Sequence, residues 1–192
     1  MAKTVEANGT TNPVSVKVTL RHTKPPIWRR LLVPGDMTLG DLHVAIQAAM
    51  GWHDGHLHAF HIADRQYGNP RQVDDVADET RMTVNRLVKS GIDRFGYVYD
   101  FGDSWEHAIL IEKTRPKGGD GTSYPACVGG KRNCPPEDCG GPWGYAQLLE
   151  VLADPTHPEH AEQSEWLGRP FDPDAFSVSA ADAALARYFK RA

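Results

Sequence analysis

The chain has no apolar run approaching the ~20 residues that a bilayer-spanning helix needs. It has no glycine-rich phosphate cradle of the Walker or GxGxxG kind, and no GxSxG string. These gaps argue against a helical membrane protein, a nucleotide-cofactor enzyme and a serine hydrolase. Positive charge is also short. Lysine and arginine total 21 against 25 aspartates and glutamates, for a formal net charge of -4. An acidic chain does not coat phosphate backbones by bulk charge, so binding to random duplex DNA is expected to be weak or absent. Neither an internal repeat nor a heptad array is visible. Cysteine is scarce: there are 3, all between positions 127 and 139. An odd, tightly spaced set makes no disulfide framework, which points to a reducing cytosol. Met1 to Pro13 is polar, lacks the apolar core of a signal peptide, and reads as a disordered lead-in.

With 192 residues and 40% hydrophobic content, the rest is long enough for one sizeable core. Val14, Val16, Val18 and Leu20 alternate with polar residues as a half-buried strand does. Lys24-Pro25-Pro26 turns the chain and Ile27 to Val33 returns, with arginines on both faces so that its inward side is not legible. Thr38 with Asp41 opens a helix carrying Leu39, Leu42, Ile46 and Met50, which Gly51 stops. His56 to Ile62 reads as a third strand. Asp74 to Thr80 reads as an exposed acidic stretch, and Met82 to Leu87 as a short strand or turn. Phe95, Tyr97, Tyr99 and Phe101 alternate, Gly102-Asp103-Ser104 turns, and Trp105 to Glu112 completes a second hairpin. From Thr114 to Pro142 the texture becomes Gly, Pro and Cys, the mark of a long irregular loop that needs a reason to be ordered. Helices follow around Tyr145 to Leu152, from Pro158 to Leu167, and after a Ser179/Asp182 cap. The expected architecture is a single α+β domain over 14–192. Residues 14–113 would form a sheet with one packed helix, and 114–192 a cysteine loop with a helical cap.

Thiolates and imidazoles are the ligands of closed tetrahedral zinc sites. Cys127, Cys134 and Cys139 supply three, and His157 or His160 a fourth, His160 being preferred. Such a site is structural and would clip the long loop to the helix after it. Glu137 and Asp138 are set aside as ligands, because adjacent carboxylates rarely displace available thiolates from zinc. A rival constellation joins His56 and His58, placed on one strand face, to Asp100, Asp103 and His107 as a metal or acid/base site. Strand alternation speaks against it. It turns Asp100 away from Tyr99 and Phe101, while His107 shares its face with Trp105 and Ile109. Arg21, Lys24, Arg29 and Arg30 around Trp28 could touch nucleic acid, though a solvated hairpin face is the commoner outcome.

Several long motifs resemble one family: Lys24-Pro-Pro-Ile-Trp-Arg-Arg30, Asp41-Leu-His43, Ala48-Ala-Met-Gly-Trp52, Tyr99-Asp-Phe-Gly-Asp-Ser-Trp-Glu-His107, Cys134-Pro-Pro-Glu-Asp-Cys-Gly-Gly-Pro142 and His157-Pro-Glu-His160. These are similar to the ORF-three-like proteins of a root-inducing plasmid, also labelled resolvase-like (TnpR-like) passengers of insertion elements. The resemblance runs from about Val14 to Phe176. It implies an α+β fold with a curled mixed sheet of roll or β-grasp character, and a motif that includes the cysteines and His-Pro-Glu-His. No serine nucleophile in an arginine-rich setting supports the resolvase label. The leading functional expectation is a zinc-stabilised, non-catalytic binding or accessory module of mobile genetic elements, contacting protein or nucleic acid. A metal-dependent enzyme built on the His/Asp cluster is the alternative. A DNA recombination or transposition accessory is the third.

Overall fold

The structure, a computed structural model, describes residues 13–113 and 124–189. The expected lead-in therefore lies, apart from Pro13, outside the described residues, as does the stretch 114–123. The strands are β1 (Val14–Leu20), β2 (Ile27–Val33), β3 (His58–Ile62), β4 (Arg65–Gly68), β5 (Ala77–Asp78), β6 (Arg94–Tyr99), β7 (Trp105–Ile111) and β8 (Ala126–Lys131). They form one sheet in the order β5-β4-β3-β6-β7-β1-β2-β8. The β4–β5 pair is parallel and the other pairs antiparallel, so the architecture is α+β with a mixed sheet. Among the described residues five α-helices accompany it: α1 (Leu39–Met50), α2 (Val84–Lys89), α3 (Gly141–Ala153), α4 (His160–Leu167) and α5 (Val178–Tyr188).

Period-two alternation explains the sheet's packed face. Val16, Val18 and Leu20 stand opposite Leu31, Arg29 and Ile27 on one side, and opposite Ile111, Ile109 and His107 on the other. The row continues through Tyr97 opposite His107 and Phe60 opposite Tyr97, an aromatic stripe buried at nearly every position. Helix α1 covers this stripe with Leu39, Leu42, Ala45 and Ile46. Its ends match the sequence: Thr38 Oγ1 accepts from the Asp41 N–H at 3.1 Å, and Gly51 closes the helix at φ 91°.

Other expectations change. Ala126–Lys131 is an edge strand paired with β2, so Cys127 lies in the sheet and not in a loop. The glycines there hid the strand, and one has a packing reason. A Cβ on Gly130 would run into the Phe176 ring. Met82 to Leu87 belongs to helix α2 and the residue before its cap, with Thr83 as the N-cap. The last helix is capped by Ser177, two residues earlier than the expected Ser179, and Asp182 instead accepts the Cys127 N–H at 3.0 Å. Within the acidic stretch 74–80, Glu79 is buried. Strand β3 begins at His58, so His56 is not its same-face neighbour on a strand.

Arg29 is the inward arginine that alternation left undecided. It is 2% exposed, between Ile27 and Leu31 on the packed face. Its Nε–H donates to the Ala49 carbonyl in the last turn of α1 at 2.9 Å, and Nη1 donates to the carbonyls of Trp28 and Lys131 at 2.9 and 3.1 Å. The Phe176 ring lies 4.2 Å from its Cζ. One cation thus ties β2, the negative end of a helix dipole and β8 together. Arg30, on the other face, grips Glu112 with two bonds of 2.8 and 2.9 Å. Both arginines of the hairpin are therefore engaged within the protein.

Two outcomes follow for stability. Arg29→Met keeps the aliphatic stem but strands three acceptors, and should cost about 3 kcal/mol in denaturant unfolding; an unchanged midpoint would refute the tie. His107 is fully enclosed and neither ring nitrogen has a partner, the backbone groups of Tyr97 and Trp105 lying nearby short of bonding geometry. Burial lowers its pKa from 6.5 to about 3. Below 6.5 the unfolded chain takes up a proton that the folded chain refuses, so stability is lost as pH falls from 6.5 towards about 3. His107→Leu removes that loss. Its advantage over the unsubstituted protein should grow by about 2 kcal/mol between neutral pH and about pH 5, read from paired thermal melts.

Candidate functional site

A cleft of about 830 Å³ opens at one end of the sheet. Helix α1 contributes His43, the loop after it Asp54 to Leu57, β3 His58, the 69–72 turn Arg71, the Glu79–Arg81 3-10 turn Glu79, and the residues after β6 Asp100 to Gly102. Its size suits a small molecule.

At its floor two imidazoles stack face to face, His43 on His58, with centroids 3.4 Å apart and planes 4° from parallel. Each is held edge-on by a carboxylate at 2.7 Å: His43 Nε2 by Asp54 Oδ1, and His58 Nε2 by Glu79 Oε2. His43 Nδ1 meets the Tyr97 hydroxyl at 2.7 Å, and that hydroxyl also receives the Gln47 amide at 3.0 Å. The donor inventory assigns the protons. Tyr97 O–H, already accepting from Gln47, donates to His43 Nδ1, so the His43 proton sits on Nε2 and points at Asp54. Burial lowers the His43 pKa, with the hydrogen bond to Asp54 opposing it and the neighbouring His58 adding to it. His43 is therefore a neutral ring. Tyr97 is pushed well above its ordinary pKa by the same burial and stays protonated.

The segment from Cys134 to Gly141 runs beside the cleft, where its Asp138 meets the lining residue His56. Trp52, buried as α1 ends, donates its indole N–H to the Pro135 carbonyl at 3.0 Å. Glu137 accepts from the Tyr99 hydroxyl at 2.5 Å and from the His53 N–H at 3.0 Å. Tyr99 is raised far above its ordinary pKa, first by burial and then by Glu137, which keeps it a donor. The Gly140 N–H donates to Asp103 Oδ2 at 3.2 Å. Asp138 thereby comes to rest with Oδ1 3.2 Å from His56 Nε2, while Asp100 Oδ2 lies 3.6 Å from His56 Nδ1. Asp54, Asp100 and Asp138 all have left-handed backbones, φ 59°, 58° and 59°. Aspartate adopts that conformation more readily than most residues, and it turns each of these side chains out of the run of its neighbours.

The expected residues are divided by this geometry. Of the rival set, His56, His58 and Asp100 line the cleft. Asp100 escapes the alternation argument because β6 ends at Tyr99 and the next residue turns left-handed. Asp103 is occupied with Gly140, and His107 is in the core against Trp52 and Tyr97. The cysteine set does not gather. Among the described residues, the one group of three or more His, Cys, Asp or Glu ligand atoms within 4.8 Å of one another is His56, Asp100 and Asp138. Cys127 is pinned in β8 opposite Leu31, His157 Nδ1 accepts the Glu159 N–H at 3.2 Å, and His160 is the first residue of α4. Burial raises all three thiols, Cys139 to about 12. Sequence reasoning missed His43, Asp54, Glu79 and Tyr97, and set aside Glu137 and Asp138. One signal was available: His43 and Gln47 lie four apart on the buried stripe of α1, where polar residues need partners.

Fold and cleft together define an α+β protein with a polar, histidine- and carboxylate-lined pocket. The chain belongs to the plasmid pRiA4b ORF-3-like proteins, whose pattern it matches over residues 12–180. It is 46% identical over 158 residues to the uncharacterized protein y4hQ of Sinorhizobium fredii, spanning 81% of this chain and 80% of that one. It also resembles the crystal structure of a protein of unknown function, MM3350 from Methanosarcina mazei, with a TM-score of 0.80 and 38% identity over 87% of this chain and 96% of the other. None of these descriptions carries the resolvase label, and that part of the resemblance is not supported. No helix among the described residues is long and apolar enough to cross a membrane.

The Glu137 contacts can be tested directly. Glu137→Ala removes an acceptor for two donors, one of them in a charge-assisted bond worth about 1.5–3 kcal/mol. Amide exchange over 135–141 should accelerate about tenfold or more, with β1 and β2 unaffected. Unchanged exchange would show that the segment is held by other contacts.

Proposed function

We propose that this chain is an enzyme that moves a proton on a small polar molecule bound in the cleft, with His58 as the general base. The observation that carries the reading is the stacked His43–His58 pair, each ring oriented by its own carboxylate at the cleft floor. Glu79 on His58 Nε2 favours the tautomer with its proton there, leaving the Nδ1 lone pair as the basic position. Both His43 nitrogens are already engaged, so His43 is a positioning residue. Its neutrality matters. Two imidazolium rings at stacking distance would repel, whereas a neutral ring allows His58 to carry the proton it takes. Glu79 would stabilise the imidazolium formed, as a carboxylate behind a catalytic histidine does.

The test works on a mixture of candidate substrates. The purified protein is incubated with a small-molecule extract, and compounds consumed and formed are followed by mass spectrometry. His58→Gln should slow the conversion found by about 10²–10⁴-fold, the usual contribution of a positioned acid or base. Glu79→Gln should slow it less. Full activity in His58→Gln would defeat the proposal. A compound retained by the protein but never converted would make it a binding protein instead.

A further inference from the structure

We infer that His56, Asp100 and Asp138 form a site for one divalent first-row cation, Zn²⁺ or Mn²⁺, at the rim of the cleft, and that the Cys-Pro-Pro-Glu-Asp-Cys segment serves to deliver Asp138 to it. The site goes beyond the acid–base reading and stands without it.

The ligand atoms of the three residues already lie within 4.8 Å of one another. A cation bound at about 2.0–2.2 Å from each ligand spaces those ligands by up to ~4.4 Å, so the spacing is nearly met, and loading turns the His56 ring until one nitrogen faces both carboxylates. The carboxylates are presented from behind. Asp100 Oδ1 is taken by the Gly102 and Asp103 N–H groups at 2.9 and 3.3 Å, which leaves Oδ2 turned towards His56. Asp138 is held by its neighbour Glu137 through Tyr99 and His53. Supporting bonds of this kind orient metal ligands. One imidazole nitrogen and two carboxylate oxygens suit Zn²⁺ and Mn²⁺; Mg²⁺ and Ca²⁺ prefer all-oxygen shells, and soft ions prefer sulfur. Three protein ligands leave positions open, and the Asp138 side chain is 71% exposed, so water or a ligand in the cleft can reach them. That is the form of a working site, unlike the closed thiolate clip expected from the cysteines.

The competing arrangement is a protonated His56 bridging two carboxylates, since each ring nitrogen faces one of them. Equilibrium dialysis with metal analysis separates the two. The full chain is stripped with a chelator and titrated with Zn²⁺, Mn²⁺, Mg²⁺ and Ca²⁺. The expected result is about one Zn²⁺ or Mn²⁺ per chain, with Mg²⁺ and Ca²⁺ at least about tenfold weaker. His56→Gln and Asp138→Asn should each lower affinity about tenfold or more, and Glu137→Gln should lower it while leaving all three ligands in place. Cys127→Ser and His58→Gln should bind as the unsubstituted chain does, so failure of the catalytic base and failure of the metal site are read separately. Circular dichroism melts confirm that each variant is folded. No binding of Zn²⁺ or Mn²⁺ would overturn the inference in favour of the bridged imidazolium. Binding abolished by Cys127→Ser but untouched by Asp138→Asn would overturn it in favour of a thiolate site.

Discussion

The placement of Asp138 beside the cleft rests on one carboxylate. Glu137 takes the Tyr99 hydroxyl from the end of β6 and the His53 N–H from the loop after α1, joining two parts of the chain more than thirty residues apart. Without it the Cys134–Gly141 segment would retain the Trp52 indole bond and the Gly140–Asp103 contact. Neither of those fixes where Asp138 points. A short bond to an ionised acceptor in a half-buried place is strong enough to set that direction. Its strength rests on Tyr99 remaining protonated, which burial ensures.

At the cleft floor the protein buries polar groups that cost free energy unless each is paired. Gln47, Tyr97, His43 and Asp54 form a chain of donors and acceptors, and His58 with Glu79 a second one stacked on it. Such networks rigidify when satisfied and are destabilising when broken. Gln47 Oε1 within the first chain has no partner, and nearby His107 is an imidazole enclosed by Trp52 and Tyr97 with both nitrogens unpaired. It makes the core sensitive to acid, and it stands apart from the cleft residues that do the pairing.

The elements legible in the sequence were those with strong local periodicity and punctuation. Alternation located β1, β6 and β7, and the Thr38/Asp41 and Gly51 signals bounded α1. Where local signals were weak or ambiguous the reading failed. In strand β8, Gly130 is required by the Phe176 ring that lies on it, a residue forty-six positions away. The cysteines marked the segment as a candidate, but among the described residues their sulfurs do not gather with a histidine. Its Glu137 and Asp138, adjacent and outwardly ordinary, reach Tyr99, His53 and His56 in other parts of the chain.

The sequence by itself determined the α+β class, the hairpins, the principal helix with its caps, and the family. Each of these rests on neighbours in the chain or on long contiguous motifs. Only the tertiary structure decided which titratable groups meet. The decisive pairs, His58 with Glu79, His43 with Tyr97, and Tyr99 with Glu137, are separated by 21, 54 and 38 residues. Side-chain periodicity says which way a residue faces within its own element. It carries no information on what another element places opposite, and none at all past the end of a strand, where Asp100 turned left-handed and joined His56.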